Sequence, residues 1–404
     1  MNSSTKFIIF RVLLLAFLII SIPSLAEEKQ SQSPAAPWPK ISPSTPYINA
    51  ADFGIKPVSH DKLLTELFDQ NFDSTDGLQA ALDAGAEGIV FIPAGMYRVT
   101  QPLIAKSGTT IMGAGYCSTI LASEKTMPAI IHLKVSGPMT TIRDMWICGP
   151  VGGNWGAAGI WLEGSNGVTV RDCWVSALNV GILIDGMSDI WLRNIVTELN
   201  QDGIKAQCPS GPLGWASGNL RMFDCYGYQN YKTGFTLANL RGVQMQSCTA
   251  TGSGYAISAK NCAQVTIIGA QVNFDGSPFR KYGVRLEKCD TITFANSVIE
   301  GMLDYGVAAV DCSHLSMTGN VIRNTTAGPG MLIKGCRLTT VSGNCVTESA
   351  HNGIAVSDCE DITLIGNTVD RYGAKPGENE SFEGLKTTNN TNCQKIGNII
   401  RTSD

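Results

Sequence analysis

Charge is scarce in this chain. Only 16% of its 404 residues are Asp, Glu, Lys or Arg, against roughly a quarter in an average soluble protein. Thirty basic and 34 acidic residues leave a net charge of −4, and no basic run follows from them. That argues against nucleic acid as a partner. Aromatic residues are also few, at 7%, and the four histidines (His60, His132, His314, His351) show no metal-ligand spacing. No apolar stretch reaches the ~20 residues that a membrane span needs. The longest, Val12 to Ile20, is followed closely by Ser21 and Pro23. What is plentiful is glycine, 43 residues, alongside a 44% hydrophobic share. That share supports a large core and excludes wholesale disorder. Low charge with many glycines suits stacked β-structure with frequent turns.

The chain opens with Lys6 and Arg11, then the apolar run, then Ser24-Leu25-Ala26. This order predicts an export signal over residues 1–26. No Cys follows the cleavage site, so a lipid anchor is not expected. Residues 27–46 read as a Pro/Ser-rich linker and 47–404 as one domain. The expected location is secreted or periplasmic, with no membrane span, as a monomer. Thirteen Cys in an exported chain would ordinarily suggest disulfides. The count is odd, and their positions suggest another role.

A repeat of twenty-odd residues runs through the domain. NCAQVTIIG from Asn261, KCDTITFAN from Lys288, DCSHLSMTG from Asp311, GCRLTTVSG from Gly335 and DCEDITLIG from Asp358 share a Cys at the second position. Cys393 reads as a sixth member, and earlier repeats place Ser165, Met187, Ser217 and Leu240 there. A glycine column precedes it: Gly159, Gly181, Gly234, Gly283, Gly306, Gly330 and Gly353, each opening a short alternating strand. A third column, Asn320, Asn344 and Asn367, falls at a tight bend where amides can bond the backbone and one another. Short strands without hairpin signals predict a parallel β-helix of about 10–12 coils, stacked at the ~4.8 Å strand spacing. The Cys column is then an inward stack of small apolar side chains, poorly aimed for bridging. Thr75 to Ala84, with Leu78, Ala81 and Leu82 on one face, predicts a short capping α-helix.

ADFGI (Ala51 to Ile55), STDGLQAALDAG from Ser74 and IVFIPAGMYRV (Ile89 to Val99) resemble the opening of the pectate lyase superfamily. The resemblance implies an all-β, single-stranded right-handed parallel β-helix and a carbohydrate ligand. It does not imply a reaction. Against the polygalacturonases of that group, NTDG is matched by Asn200, Asp202 and Gly203 with Gln201 departing, and RIK resembles Arg285-Leu286-Glu287, which keeps the Arg but has Glu in place of the Lys. Their aspartate pair and GHG histidine are replaced, by Tyr231-Lys232-Thr233 and Gly252-Ser253-Gly254. Those departures argue against the hydrolytic mechanism of that family.

Carrying the strand alternation along the glycine column gives two outward columns. The first runs Trp161, Leu183, Lys205, Thr236, Ser258, Arg285; the second Glu163, Asp185, Gln207, Ala238, Lys260, Glu287. The candidate catalytic set is Glu163, Asp185, Asp202, Lys205, Arg285 and Glu287, expected within about four rungs, roughly 20 Å. Trp161, Tyr231, Lys260, Arg280, Lys281 and Tyr282 are the candidate substrate-binding residues. The cofactor expected is none or Ca²⁺, the latter held by Glu163 and Asp185. Three functions remain open: β-elimination on an acidic polysaccharide, hydrolysis by paired carboxylates, and a non-catalytic glycan-binding scaffold.

Overall fold

The computed structural model describes residues 46–58, 70–123, 126–149, 154–209, 217–274, 281–373 and 382–401. The export signal, nearly all of the linker and Arg280 lie outside the described residues. The chain winds as a parallel β-solenoid of about eleven turns. Three sheets run its length, and each strand pairs with its counterpart in the next coil. In the first sheet Ile182, Ile204, Phe235, Ile257, Val284 and Val307 stand in register. In the second, Val243, Val265, Ile292, Leu315, Thr339 and Ile362 do so. The third carries Ala250, Val272, Ile299, Ile322, Val346 and Val369. One short antiparallel pair, Pro57–Val58 with Met96–Tyr97, stands out from the parallel ladders among the described residues.

Two of the three corners are built alike, from two residues. The first takes the left-handed conformation, which favours Gly, Asn and Asp because they tolerate it best. The second points inward. Asn261-Cys262, Lys288-Cys289, Asp311-Cys312, Gly335-Cys336 and Asp358-Cys359 turn the chain from the first sheet into the second. Gly319-Asn320, Gly343-Asn344 and Gly366-Asn367 turn it from the second into the third. The Cys column is therefore a corner spine, and its five sulfurs are buried. Each thiol donates to the carbonyl two residues back, from 3.1 Å at Cys359 to 3.4 Å at Cys336. All thirteen cysteines stand as free thiols. Cys393 does not join this column. The corner position in its coil is Asn390, whose Oδ1 accepts the Cys359 N–H at 2.8 Å, while Cys393 sits in the second sheet opposite Ile362.

The Asn column forms as expected. Asn320 Nδ2 donates to Asn344 Oδ1 and Asn344 Nδ2 to Asn367 Oδ1, both at 2.9 Å, and Asn398 continues the ladder. The glycine column has a steric cause. A Cβ on Gly283 would lie 2.4 Å from the Gly306 carbonyl oxygen and 2.5 Å from Ile299 of the third sheet. The helix Thr75–Ala84 buries Leu78, Ala81 and Leu82 and stops where the Gly85 N–H reaches Ala81 O. Its start is held by Asp73 Oδ1, which accepts the Thr75 N–H at 3.0 Å, while Ser74 Oγ is spent on the Lys56 backbone.

Candidate functional site

The outward columns of the first sheet are those that alternation predicts. Trp161, Leu183, Lys205, Thr236, Ser258 and Arg285 are register partners, as are Glu163, Asp185, Gln207, Ala238, Lys260 and Glu287. Val284, Leu286, Ile354 and Val356 face inward and are buried. A third outward column contains two of the candidate residues, Asp202 and Tyr282, and adds others that alternation does not predict. At the corner leading into this sheet the alternation breaks: the glycine turns inward and the residue before it turns out. Asp202, Thr233, Tyr255, Tyr282 and Tyr305 occupy that position in successive coils.

The face carries two charged clusters. Glu163 is a register partner of Asp185, yet its carboxylate is engaged on the other side. His132 Nε2 lies 2.9 Å from Oε2 and Lys134 Nζ donates to Oε1 at 3.1 Å. The Lys134 ammonium, followed by the His132 bond, holds the Glu163 carboxyl below its ordinary pKa. His132 stacks flat on Trp161, ring centroids 4.2 Å apart and 4° from parallel. Asp185 instead accepts from Gln207 Nε2 at 3.3 Å. The expected Glu163–Asp185 cation site is therefore not assembled: Glu163 meets two nitrogens. Among the described residues no three His, Cys, Asp or Glu side chains converge as metal ligands.

The second cluster centres on Glu287. Lys260 Nζ lies 2.8 Å from Oε1 and Arg285 donates to Oε2 at 2.9 Å. These contacts, Lys260 first, lower the Glu287 pKa. Beside them Tyr255, Tyr282 and Tyr305 form a ladder of near-parallel rings, with centroids 5.1 and 5.3 Å apart. The Arg285 guanidinium lies 5.6 Å from the Tyr282 ring centre. Burial, followed by the charge of Asp304, raises the Tyr282 hydroxyl pKa. Lys281 is exposed at this edge, as is Lys232 two coils earlier, beside half-buried Tyr231.

Between the clusters the floor is made of small groups, Thr236, Ala238 and Ser258. Glu163 and Glu287 are five coil steps apart, about 24 Å at the ordinary strand spacing and not the four rungs expected. Lys205 stands in this middle stretch and has no ion-pair partner among the described residues. Asp202 lies on the same strand but at its opposite end from Gln207, so it does not join Asp185. Asn200 of the NTDG-like motif is fully buried. It bonds Val175 O and Asn230 Oδ1, each at 3.1 Å, and is a corner residue rather than a site residue. Tyr226 and Tyr228 point out from the third sheet, away from this face.

Comparison with known proteins agrees with the architecture. A family profile described as right handed beta helix region matches residues 151–272, 211–369 and 255–402. One described as rhamnogalacturonase A/epimerase, pectate lyase-like matches 47–140. The chain belongs to the right-handed β-helix proteins of the pectin-lyase-like superfamily. No curated protein sequence matches it. Among solved structures it is similar to the A-module of an Azotobacter vinelandii mannuronan C-5 epimerase, at 18% identity and a TM-score of 0.57, over 87% of this chain and 99% of that one. It is also similar to a Yersinia enterocolitica family 28 exopolygalacturonase, at 13% identity and 0.55, over 86% and 78%. Bacteriophage phi29 gene product 12 aligns at 12% and 0.54, over 88% and 56%. Identities this low establish shared fold.

Proposed function

We propose that the protein is exported and cleaves an acidic polysaccharide by β-elimination along the outward face of its first sheet. The observation that carries this reading is Lys205. Among the described residues it is a cation without an ion-pair partner, midway between two saturated ion-pair clusters and beside a floor of small side chains. Glu163 and Glu287, two and three coil steps from it, are each held by two basic groups. A uronate carboxylate over this floor would meet Lys205, and the proton on the adjacent carbon becomes removable once that charge is neutralised. Asp185, one rung away and bonded by the neutral Gln207 amide, is the carboxylate available to take it. The released electron pair forms the C4–C5 double bond as the glycosidic C–O bond breaks, and the leaving oxygen takes a proton from solvent.

Hydrolysis is supported less well. A hydrolytic pair must flank the scissile bond at about 5–9.5 Å. Glu163 and Asp185 stand one coil step apart, about 4.8 Å, but His132 and Lys134 hold the Glu163 carboxyl ionised, so it does not supply the acid of such a pair. Asp185 and Glu287 are four coil steps apart, about 19 Å.

The test is a panel of uronate polymers, with absorbance of the unsaturated product and reducing ends read separately. Lys205→Ala and Asp185→Asn should lower turnover roughly a hundredfold or more. Lys334→Ala, further along the same face and exposed, should be nearly silent. Reducing ends without the unsaturated chromophore would make the enzyme a hydrolase. Binding without turnover would make the face a glycan-holding surface. Export is tested by sequencing the N-terminus of the secreted protein, expected to begin after Ala26.

A further inference from the structure

The outward face of the second sheet carries an arrangement that the first-sheet reading does not use. Trp191 and Arg193 point out from one coil, and their register partners in the next are Arg221 and Phe223. Aromatic and cationic groups thus alternate along the strand and across it. The Arg221 guanidinium lies 4.3 Å from the Trp191 ring centre, and Trp191 remains 37% exposed. In the two preceding coils the same column holds Arg171 and Arg143, and each is bonded to the aspartate that follows it, Asp172 and Asp144. Arg193 is followed by Asn194 instead, and neither Arg193 nor Arg221 has an ion-pair partner among the described residues.

Immediately beside Arg221 lies a recess of about 220 Å³, lined by Asn219, Arg221, Gly242, Gln244, Gln264 and Thr266. Gly242 keeps it open. It adopts φ +72°, and a Cβ there would lie 3.3 Å from the Asn219 backbone nitrogen. Asp189, at the edge, is already bonded by Asn219 Nδ2 at 2.9 Å. Gln264 Oε1 likewise accepts from Arg241 Nε at 3.2 Å, so the free polar groups among the described residues are the Arg221 guanidinium, the Gln244 amide and the Thr266 hydroxyl, next to an exposed indole.

We infer that this recess and the Trp191–Arg221 pair form a second glycan-binding site, separate from the first-sheet face, for an oligosaccharide bearing a carboxylate or sulfate. Each part of such a ligand has a counterpart. A guanidinium holds a planar or tetrahedral oxyanion through paired N–H donors. An aromatic ring covers the apolar side of a pyranose. The Gln244 amide and the Thr266 hydroxyl exchange hydrogen bonds with ring hydroxyls.

The site is tested by calorimetric titration of the full chain carrying Lys205→Ala, which removes the proposed turnover without touching the second sheet. The probes are hexagalacturonate, a sulfated hexasaccharide and uncharged maltohexaose. At least one anionic probe should bind, and Arg221→Gln or Trp191→Ala added to this background should weaken it about tenfold or more. Whichever anionic probe binds identifies carboxylate or sulfate as the group recognised. Should Trp191→Ala unfold, Arg221→Gln decides alone. The proposal is overturned if neither anionic probe binds, if maltohexaose binds equally well, or if both second-sheet variants leave affinity unchanged. Loss of polysaccharide cleavage in Lys205→Ala bears only on the first-sheet reading, and binding at Trp191–Arg221 does not depend on it.

Discussion

Replacing Asn344 by alanine removes one link from the amide ladder at the second corner. The side chain is 1% exposed. Its Nδ2 donates to Met317 O at 3.0 Å and to Asn367 Oδ1 at 2.9 Å, while Oδ1 accepts from Asn320 N at 3.0 Å and Asn320 Nδ2 at 2.9 Å. Alanine leaves the Asn320 N–H and the Met317 carbonyl without these partners in a place water does not reach. Each stranded buried group costs ~1–3 kcal/mol, so the variant should lose about 4 kcal/mol. Urea unfolding followed by circular dichroism reads this as a fall in the midpoint, compared with Gln246→Ala, an exposed strand residue expected to change stability by less than ~0.5 kcal/mol. Asn344→Asp adds a second constraint. Ionised aspartate accepts but does not donate, and burial raises its pKa, so its deficit should shrink as pH falls and the acid gains an O–H donor. A loss below ~1 kcal/mol for Asn344→Ala would refute the accounting of stranded groups.

Two further outcomes follow from other corners of the molecule. Asp290 is bonded by Ser313 and by His314, and these bonds push its pKa down to about 2. Because the folded value lies below the unfolded one, near 3.9, its contribution is complete above that value and lost as pH falls through about 2. The stability gap between wild type and Asp290→Asn should close over that window; a gap independent of pH would show that the carboxylate charge is not involved. A thiol reagent should modify Cys117, which is exposed, rapidly in the native protein and the column from Cys262 to Cys359 only on unfolding. Near-zero free thiol in the denatured, non-reduced protein would overturn the buried-thiol spine.

The register of the first sheet could be read from the chain because glycine and cysteine mark both ends of each strand there. That marking placed Val284 and Leu286 inside and Arg285 and Glu287 outside. It failed where the markers are missing. The coil Ala129–Leu133 has Ile130 near the glycine position, so nothing aligned His132 with Trp161, and the histidine that meets Glu163 went unrecognised. Tyr282 is expected at this edge, but its stacking with Tyr255 and Tyr305 is not legible in the chain: strict alternation turns the residue before the corner glycine inward, whereas the corner reverses its direction. Cys393 was misplaced because the longer segment ahead of its coil shifts the count, and the corner position falls to Asn390. The second-sheet face is not legible in the chain because its triplets read only as β-forming residues, and the register that makes neighbours of Trp191 and Arg221 is a property of the stack.

The identical two-residue corners bear on how such a molecule can diversify. From Ala238 onward each passage from the first sheet to the second, and each from the second to the third, takes two residues. The passage from the third sheet back to the first takes three residues between Thr251 and Tyr255, eight between Asn273 and Tyr282, and twelve between Tyr372 and Leu385. From Ala238 onward, growth of the chain is thus confined to one seam. Residues gained or lost along it leave the strand pairing of every sheet unchanged and alter only the rim beside the tyrosine ladder. A lineage carrying this frame can exchange what it grips without renegotiating how it folds.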